Sequence, residues 1–339
     1  MIFDTHAHYD DHAFDGDREE VLACLQDRGV SYVVDVGSTV RSLPRVKDLA
    51  DRYAFVYGAL GLHPDDVGVH AREAGEVFEL PHFQYDGKMQ PPLTGLVSGL
   101  TPAVKEWIRG ALADPKIVAV GEIGLDYHWN IESREVQIRC FKEQIGLAIE
   151  ADLPILVHSR TAAEDTMDVI QEMYGAGSPA RKAARQEALK KLRPEQYTEV
   201  PGKEWVWKKE VPEGPGRHLL RKGIIHAYAY SVEQAKIYTE LGFYLGIGGV
   251  LTYQNSKKLK KVVREIPLTS LVLETDCPYL TPEPLKGQRN DSASLIFVAE
   301  KIAEIKGLPV QEVLRVTYEN ACHLFKLRGC QPRGRSFNS

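Results

Sequence analysis

Short apolar runs alternate with longer stretches in which apolar residues recur every three or four positions. The short runs predict β-strands, because neighbouring strand side chains point to opposite faces, and the longer stretches predict amphipathic helices. Residues 116–125 form the clearest predicted strand and residues 133–151 the longest predicted helix. The predicted strands are a run beginning at Ile2 and residues 31–36, 54–62, 116–125, 153–157, 223–225, 243–247 and 271–274. The predicted helices are residues 18–29, 40–53, 101–112, 133–151, 165–174, 232–241, 256–265, 292–306 and 310–325.

Strands separated by helices are the pattern of parallel βα units. Eight such units in a chain of 339 residues favour an α/β fold of the (β/α)8 TIM-barrel type. The alternative, an open doubly wound sheet, would carry a glycine-rich phosphate turn after the first strand, where this chain has histidines. We therefore expect one barrel domain over residues 1–328, followed by a disordered Gly-, Pro-, Arg- and Ser-rich tail at 329–339.

Two long insertions interrupt this pattern, at residues 77–99 and 175–222. Both follow strands, so we expect them at the catalytic mouth of the barrel. Residues 176–222 hold twelve Lys and Arg against six Glu, a net +6, whereas the whole chain carries −5. Residues 181–192 predict a basic helix, and Tyr197, Trp205 and Trp207 would either stack on nucleic-acid bases or pack against the barrel.

Composition narrows the class of protein. The chain is 43% hydrophobic and 26% charged, as in ordinary globular proteins, and it has no apolar run of membrane-spanning length. Its five cysteines are scattered without a Cys-x-x-Cys pair, which argues against a cysteine-built zinc site or a disulfide framework. With no signal-peptide pattern before the first strand, we expect a cytoplasmic protein that needs neither a membrane nor an obligate protein partner.

Metal-ligating residue types stand at the ends of the predicted strands. In a parallel barrel these ends meet at one mouth. Any one of these residues could merely cap a helix or start a turn, but together they match two adjacent divalent ions bridged by a carboxylate. The six candidate ligands are His6, His8, Glu122, His158, His226 and Asp276.

The motifs that contain these residues resemble the TatD family of metal-dependent deoxyribonucleases, within the amidohydrolase-like barrel superfamily. The resemblance covers almost the whole chain and implies the same six residues as ligands of two divalent ions, Zn, Mg or Mn. It also implies DNA as the substrate, as single strands or 3′ ends. The matching motifs are Phe3-Asp-Thr-His-Ala-His8, Gly61-Leu-His-Pro64, Gly121-Glu-Ile-Gly-Leu-Asp-Tyr127, Pro154-Ile-Leu-Val-His-Ser-Arg160, Ile225-His226, Leu273-Glu-Thr-Asp-Cys-Pro278, Gly287-Gln-Arg-Asn290 and Asn320.

These motifs predict a catalytic role for Asp276, Glu122 and His63. Two cations would lower the pKa of a bound water, and Asp276, as ligand and general base, would orient and deprotonate this nucleophile. Glu122 would bridge the ions, and the resemblance implies that His63 donates to the scissile phosphate. The alternative for His63 is that it merely closes a strand before a proline.

Two arginines, Arg160 and Arg289, are predicted substrate contacts because a guanidinium matches phosphate oxygens in a bidentate manner. Arg160 would alternatively pair with a carboxylate at the barrel rim. Cys277 lacks an evident partner base, so we interpret it as a small buried thiol.

The predicted activity is metal-dependent hydrolysis of phosphodiester bonds, as in a deoxyribonuclease. Two alternatives stay open at this point. One is hydrolysis of a small phosphoester, lactone or amide by the same two ions, and the other is a catalytically silent barrel that only binds a ligand.

Overall fold

The computed structural model describes residues 1–75, 80–81, 84–85, 88–89, 99–175, 197–198, 206–207 and 222–327. Eight parallel strands form one sheet in which each strand pairs with the next along the chain. This arrangement confirms the predicted barrel. The strands are β1 (Ile2–Ala7), β2 (Val30–Val36), β3 (Val56–Ala59), β4 (Ile117–Asp126), β5 (Ile155–Arg160), β6 (Gly223–Ile225), β7 (Tyr244–Ile247) and β8 (Leu271–Leu273).

The sheet closes nearly completely where β8 returns to β1. Thr5 Oγ1 donates to the Leu273 carbonyl at 3.0 Å. Beyond β8, the backbone N–H of Asp276 donates to the His6 carbonyl at 2.9 Å, and His8 N–H donates to the Cys277 carbonyl at 2.9 Å. The segment after β8 is therefore held against the end of β1, which brings the first and last motifs of the chain together.

Helices cover the outside of the barrel. Local signals set their bounds: Thr101 Oγ1 accepts from Val104 N–H before a proline at the first helical position, and Ser133 caps the longest helix in the same way. The helices are α1 (Arg18–Leu25), α2 (Ser42–Arg52), α3 (Pro102–Ala111), α4 (Arg134–Ala151), α5 (Ala163–Tyr174), α6 (Val232–Glu240), α7 (Lys257–Glu265), α8 (Leu295–Lys306) and α9 (Val310–Phe325).

The last helix crosses the closure of the barrel. Tyr318 and Phe325 of α9 pack on Phe3 of β1, with ring centroids 6.2 and 5.7 Å away. Asn320 Nδ2 donates to the carbonyls of Leu268 and Leu271, at 3.0 and 2.7 Å, just where β8 begins. Asn320 therefore has a structural role beneath the sheet.

Several bounds differ from the prediction, and three of them have a clear local cause. The helix predicted at 18–29 ends at Leu25, and Gly29 follows with a φ of 88° that no helix allows. The helix predicted at 292–306 begins only at Leu295, after the 3₁₀ turn Ser292–Ser294. Strand β5 continues through Arg160 because its residues pair with the long β4, so His158 lies inside the strand.

Most of both insertions, including the predicted helix 181–192, lies outside the described residues, as does the tail 329–339. Two antiparallel pairs of short strands are described there: Gln84–Tyr85 with Lys88–Met89, and Tyr197–Thr198 with Val206–Trp207. Among the helices that the structure describes, none has both the length and the apolar character to cross a bilayer. Cys24, Cys140 and Cys277 are free thiols, and Cys322 is disulfide-bonded, although the scattered cysteines argued against a disulfide framework.

Candidate metal centre

Three imidazoles meet at the mouth of the barrel. His6 and His8 lie on the same face of β1 and of the segment after it, and their Nε2 atoms are 3.2 Å apart. The His226 ring, just after β6, stacks on His6 with centroids 3.6 Å apart and planes inclined by 21°. All three are buried, so their ring nitrogens face protein groups rather than bulk water.

Glu122 of β4 lies between two groups of imidazoles. Its Oε2 is 3.6 Å from His6 Nε2 and 3.9 Å from His8 Nε2. Its Oε1 is 2.9 Å from His158 Nδ1 and 3.8 Å from His226 Nε2. One carboxylate thus presents a different oxygen to each group, as a bridging ligand does.

Asp276 completes the cluster from the segment after β8. Its Oδ1 lies 3.3 Å from His8 Nε2, 3.5 Å from His226 Nε2 and 3.9 Å from His6 Nε2. Its backbone has a φ of 61°, a left-handed conformation that is costly for a residue with a Cβ and that the N–H bond to His6 helps to hold. The side chain is 21% exposed, which leaves this carboxylate accessible from the mouth.

The spacing of these donors fits divalent cations. Ligand atoms that share one ion at about 2.0–2.2 Å lie about 3–4 Å from each other. The nitrogen and oxygen donors in the cluster are separated by 2.9 to 3.9 Å. Imidazoles and carboxylates without a thiolate suit zinc, manganese and similar ions.

A further layer of hydrogen bonds orients the imidazoles. His8 Nδ1 donates to the Val36 carbonyl at 2.8 Å, and His158 Nε2 donates to Asp126 Oδ2 at 2.9 Å. Glu274 Oε1 lies 3.1 Å from His226 Nδ1, an ion-pair contact, and accepts from the Ala227 backbone N–H at 2.5 Å. With one nitrogen of His8 and one of His158 engaged in this way, the other nitrogen of each ring can bind a cation, and partners of this kind also raise ligand basicity.

Sequence reasoning gave no role to Asp126 or Glu274, although both stand inside the motifs. For Asp126 the signal was strand alternation, because it lies four positions after Glu122 on the same strand. Glu274 lies beyond the end of β8, where alternation gives no signal. Both carboxylates are almost completely buried. A buried carboxylate needs a partner, and each finds an imidazole of the cluster.

The charges within the cluster favour ionised carboxylates. Burial opposes ionisation of Glu122, but His158 and His6 outweigh it and hold the Glu122 pKa well below its ordinary value. Burial likewise disfavours the charged form of His8, yet Asp276 and Glu122 raise its pKa to about 10. The pKa of His158 rises to about 9 despite burial, because of Asp126 and Glu122. A divalent cation bound by these residues would supply positive charge to the ionised carboxylates and favour neutral imidazoles.

His63 lies beside the cluster after β3. Its ring is edge-on to His158, with centroids 4.3 Å apart, and its Nδ1 accepts from the Asp65 backbone N–H at 3.2 Å. Burial and the neighbouring His158 lower the His63 pKa to about 3. At neutral pH the ring is therefore neutral, and with Nδ1 accepting, Nε2 carries a proton that it can donate.

The two predicted arginines contact different partners in the structure. The exposed guanidinium of Arg160 lies 5.5 Å from the ring centroid of Trp129, a residue that sequence reasoning did not single out. Arg289 forms a bidentate pair with Asp17, at 2.8 and 2.5 Å, and so is engaged with a carboxylate. Cys277 is fully buried, and burial raises its thiol pKa well above the ordinary value, as its interpretation as a structural thiol requires.

Known proteins share this architecture along the whole chain. The family model for TatD related DNase matches residues 3–326. The uncharacterized metal-dependent hydrolase YabD of Bacillus subtilis is 33% identical over 327 residues, covering 96% of this chain and all of that protein. The 3′-5′ ssDNA/RNA exonuclease TatD of Escherichia coli is 24% identical over 329 residues, covering 96% of this chain and 98% of that protein.

A solved structure agrees with this assignment. The crystal structure of YjjV, a TatD homologue from E. coli, superposes with a TM-score of 0.69 at 26% identity. It covers 96% of this chain and 98% of that one. The chain therefore belongs to the TatD-related DNase family of metal-dependent hydrolases.

Proposed function

We propose that this protein hydrolyses phosphodiester bonds in DNA, with two divalent cations held by the cluster at the barrel mouth. The observation that carries the proposal is Glu122, whose two oxygens face two different groups of imidazoles. The relative named as an ssDNA/RNA exonuclease supports a nucleic-acid substrate. The residues that would hold the cations are His6, His8, Glu122, His158, His226 and Asp276.

Bound cations would lower the pKa of a water molecule and offset negative charge on the phosphate oxygens. The protein's own contribution is to fix the donors before the substrate arrives. Asp126 and the Val36 carbonyl hold His158 and His8 in one tautomer and one orientation. Little reorganisation is then needed during the reaction.

Asp276 is proposed as the general base. It is the candidate ligand with an accessible carboxylate, and His226 and His8 outweigh its burial to hold its pKa well below the ordinary value. An ionised carboxylate at the mouth can accept the proton of the attacking water.

His63 is proposed as the donor to the phosphate. Its neutral ring carries a proton on Nε2, because Nδ1 accepts from the Asp65 backbone N–H. A donor of this kind stabilises negative charge as it develops on a non-bridging oxygen.

The test is an assay of protein loaded separately with Zn, Mn or Mg. We expect cleavage of a 5′-labelled single-stranded oligonucleotide, abolished by chelator and restored by metal. His6→Ala should be inactive, whereas His12→Ala should cleave normally, because His12 is a highly exposed histidine paired only with Asp11 among the described residues. A protein that cleaves esters or amides but no oligonucleotide would contradict the proposed substrate.

A further inference from the structure

Two large aromatic side chains stand exposed near the mouth of the barrel among the described residues, Trp129 and Tyr279, and the Tyr279 hydroxyl already donates to Asp11 Oδ2 at 2.9 Å. Trp129, in the segment between β4 and α4, is 60% exposed. Trp107 shows the usual situation: it is 3% exposed, and its Nε1–H donates to the Pro81 carbonyl at 2.9 Å. An indole left in water beside the candidate centre offers a flat apolar face to a ligand.

The turn that carries Trp129 is tied to the candidate centre. The backbone N–H groups of His128 and Trp129 donate to Asp126 Oδ1, at 2.8 and 3.2 Å. The other oxygen, Oδ2, bonds His158 Nε2 at 2.9 Å. One buried carboxylate therefore sets both the ring of His158 and the start of the turn, so the indole is held near the site of the chemistry.

A guanidinium lies next to the indole. Arg160, two positions after His158 on β5, has its Cζ 5.5 Å from the Trp129 ring centroid, and the His128 ring lies edge-on at 4.8 Å. The indole keeps most of its surface exposed despite these contacts. Indole and guanidinium together offer a base-stacking face and a phosphate-binding cation, the pair of groups used on single strands.

We propose that Trp129 and Arg160 form a platform that stacks one unpaired nucleobase beside the scissile phosphate, with Arg160 binding a flanking phosphate. The inference rests on the proposed function and names the residues that would select single strands. A base within a duplex is stacked on both faces and offers none to the indole, so duplex should be cleaved poorly.

The first experiment combines a change in the substrate, the loss of one base, with a change in the protein, the loss of the Trp129 indole. Steady-state cleavage is measured with a single-stranded oligonucleotide and with copies that carry one abasic residue at each position around the cleaved bond. Trp129→Ala should raise KM about 5- to 150-fold with little change in kcat, and Trp129→Phe should recover most of the loss. One abasic position should raise KM of the wild type but not of Trp129→Ala.

The second experiment tests Arg160 by salt dependence. Arg160→Ala should weaken binding and reduce the slope of log KM against log salt by nearly one, because one phosphate contact is lost. The matched control is Arg139→Ala, since Arg139 is 64% exposed on α4 and its change removes the same charge. That variant should keep both KM and the slope.

The possible outcomes separate failure of the stacking platform from failure of the proposed function. Unchanged KM for Trp129→Ala on oligonucleotides that are still cleaved would refute the platform and leave the proposed function intact. A fall in kcat and metal content at constant KM would mean that Trp129 acts through Asp126, which also refutes stacking. If the wild type cleaves no oligonucleotide, the proposed function itself fails. If Trp129→Ala fails to fold, Trp129→Phe takes its place. An abasic position that raises KM equally for the wild type and for Trp129→Phe supports the platform, and an unchanged KM at every abasic position refutes it.

Discussion

Asp4 is the buried residue whose replacement tests how the barrel closes. It is fully buried on β1. Its Oδ2 accepts from Thr275 Oγ1 at 2.6 Å and from Ser292 Oγ at 2.7 Å, and its Oδ1 accepts from the backbone N–H groups of Thr275 and His6 at 3.0 and 3.2 Å. One carboxylate thus joins β1, the segment after β8 and the turn before α8, next to both His6 and Asp276.

The expected loss of stability for Asp4→Ala follows from these four bonds. Both hydroxyls have other partners, since Thr275 Oγ1 lies 3.4 Å from the His6 carbonyl and Ser292 Oγ lies 2.8 Å from the Tyr9 hydroxyl. The two backbone N–H groups lose their side-chain acceptor, at about 1–3 kcal/mol each, so near pH 4, where the folded carboxyl is protonated, the free energy of unfolding should fall by about 2–6 kcal/mol. At about 2.1 cal/mol/K of unfolding entropy per residue over 339 residues, Tm should fall by about 3–8 °C.

Asp4→Asn removes the ionisable carboxyl and keeps a side chain of nearly the same shape. Burial raises the Asp4 pKa from 3.8 to about 7, against the opposing effect of its hydrogen bonds. The folded protein therefore keeps a proton that the unfolded chain releases as pH rises. The stability contributed by this group is fully present below about pH 4 and lost by about pH 7, a change of about 4 kcal/mol. Asparagine does not titrate, so the variant should gain that stability relative to the wild type over this pH range.

Thermal unfolding of metal-free protein, followed by calorimetry across this pH range, measures both effects. Asp4→Ala should also lose activity, because His6 and Asp276 are anchored through the same residues. A wild-type Tm in Asp4→Ala, or parallel pH profiles for Asp4→Asn and the wild type, would refute this account of the closure.

Three further variants test the centre itself. His6→Ala should lose divalent metal and activity together while circular dichroism shows an intact fold; full metal content by elemental analysis would contradict the ligand set. Asp276→Asn should lower turnover about 10²–10⁴-fold with a much smaller change in substrate affinity, and near-normal turnover at saturating metal would exclude it as the base. Gln137 accepts from Asp126 N–H at 2.8 Å and donates to the Asp126 carbonyl at 3.0 Å. Gln137→Ala should weaken metal binding about 10- to 100-fold in a metal titration, whereas unchanged affinity would show that Asp126 needs no such support.

Local periodicity was sufficient to predict the architecture. Apolar runs and amphipathic stretches reveal strands and helices because each pattern repeats within a few residues, and their alternation favours a barrel. The same periodicity placed His6 and His8 on one face. Helix bounds were less accurate, since the end of α1 before Gly29 and the 3₁₀ turn before α8 depend on single backbone conformations.

The details of the centre depended on residues far apart in the sequence. The opposition of Glu122 to four imidazoles arises only when the ends of β1, β4, β5 and β6 converge at the mouth of the nearly closed barrel. The same is true of the pairing of His158 with Asp126 and of Arg160 with Trp129. Arg289 stays a predicted phosphate contact, and its pairing with Asp17 was likewise visible only in the fold.

The sequence by itself therefore determined which elements form and which side chains can bind a cation, since both follow from local spacing and side-chain chemistry. The tertiary structure decided which of those side chains meet, and which nitrogen or oxygen each one presents. A strand constrains only the direction of its own side chains, whereas the distances between strands are set by hydrogen-bond register and by the closure of β8 on β1.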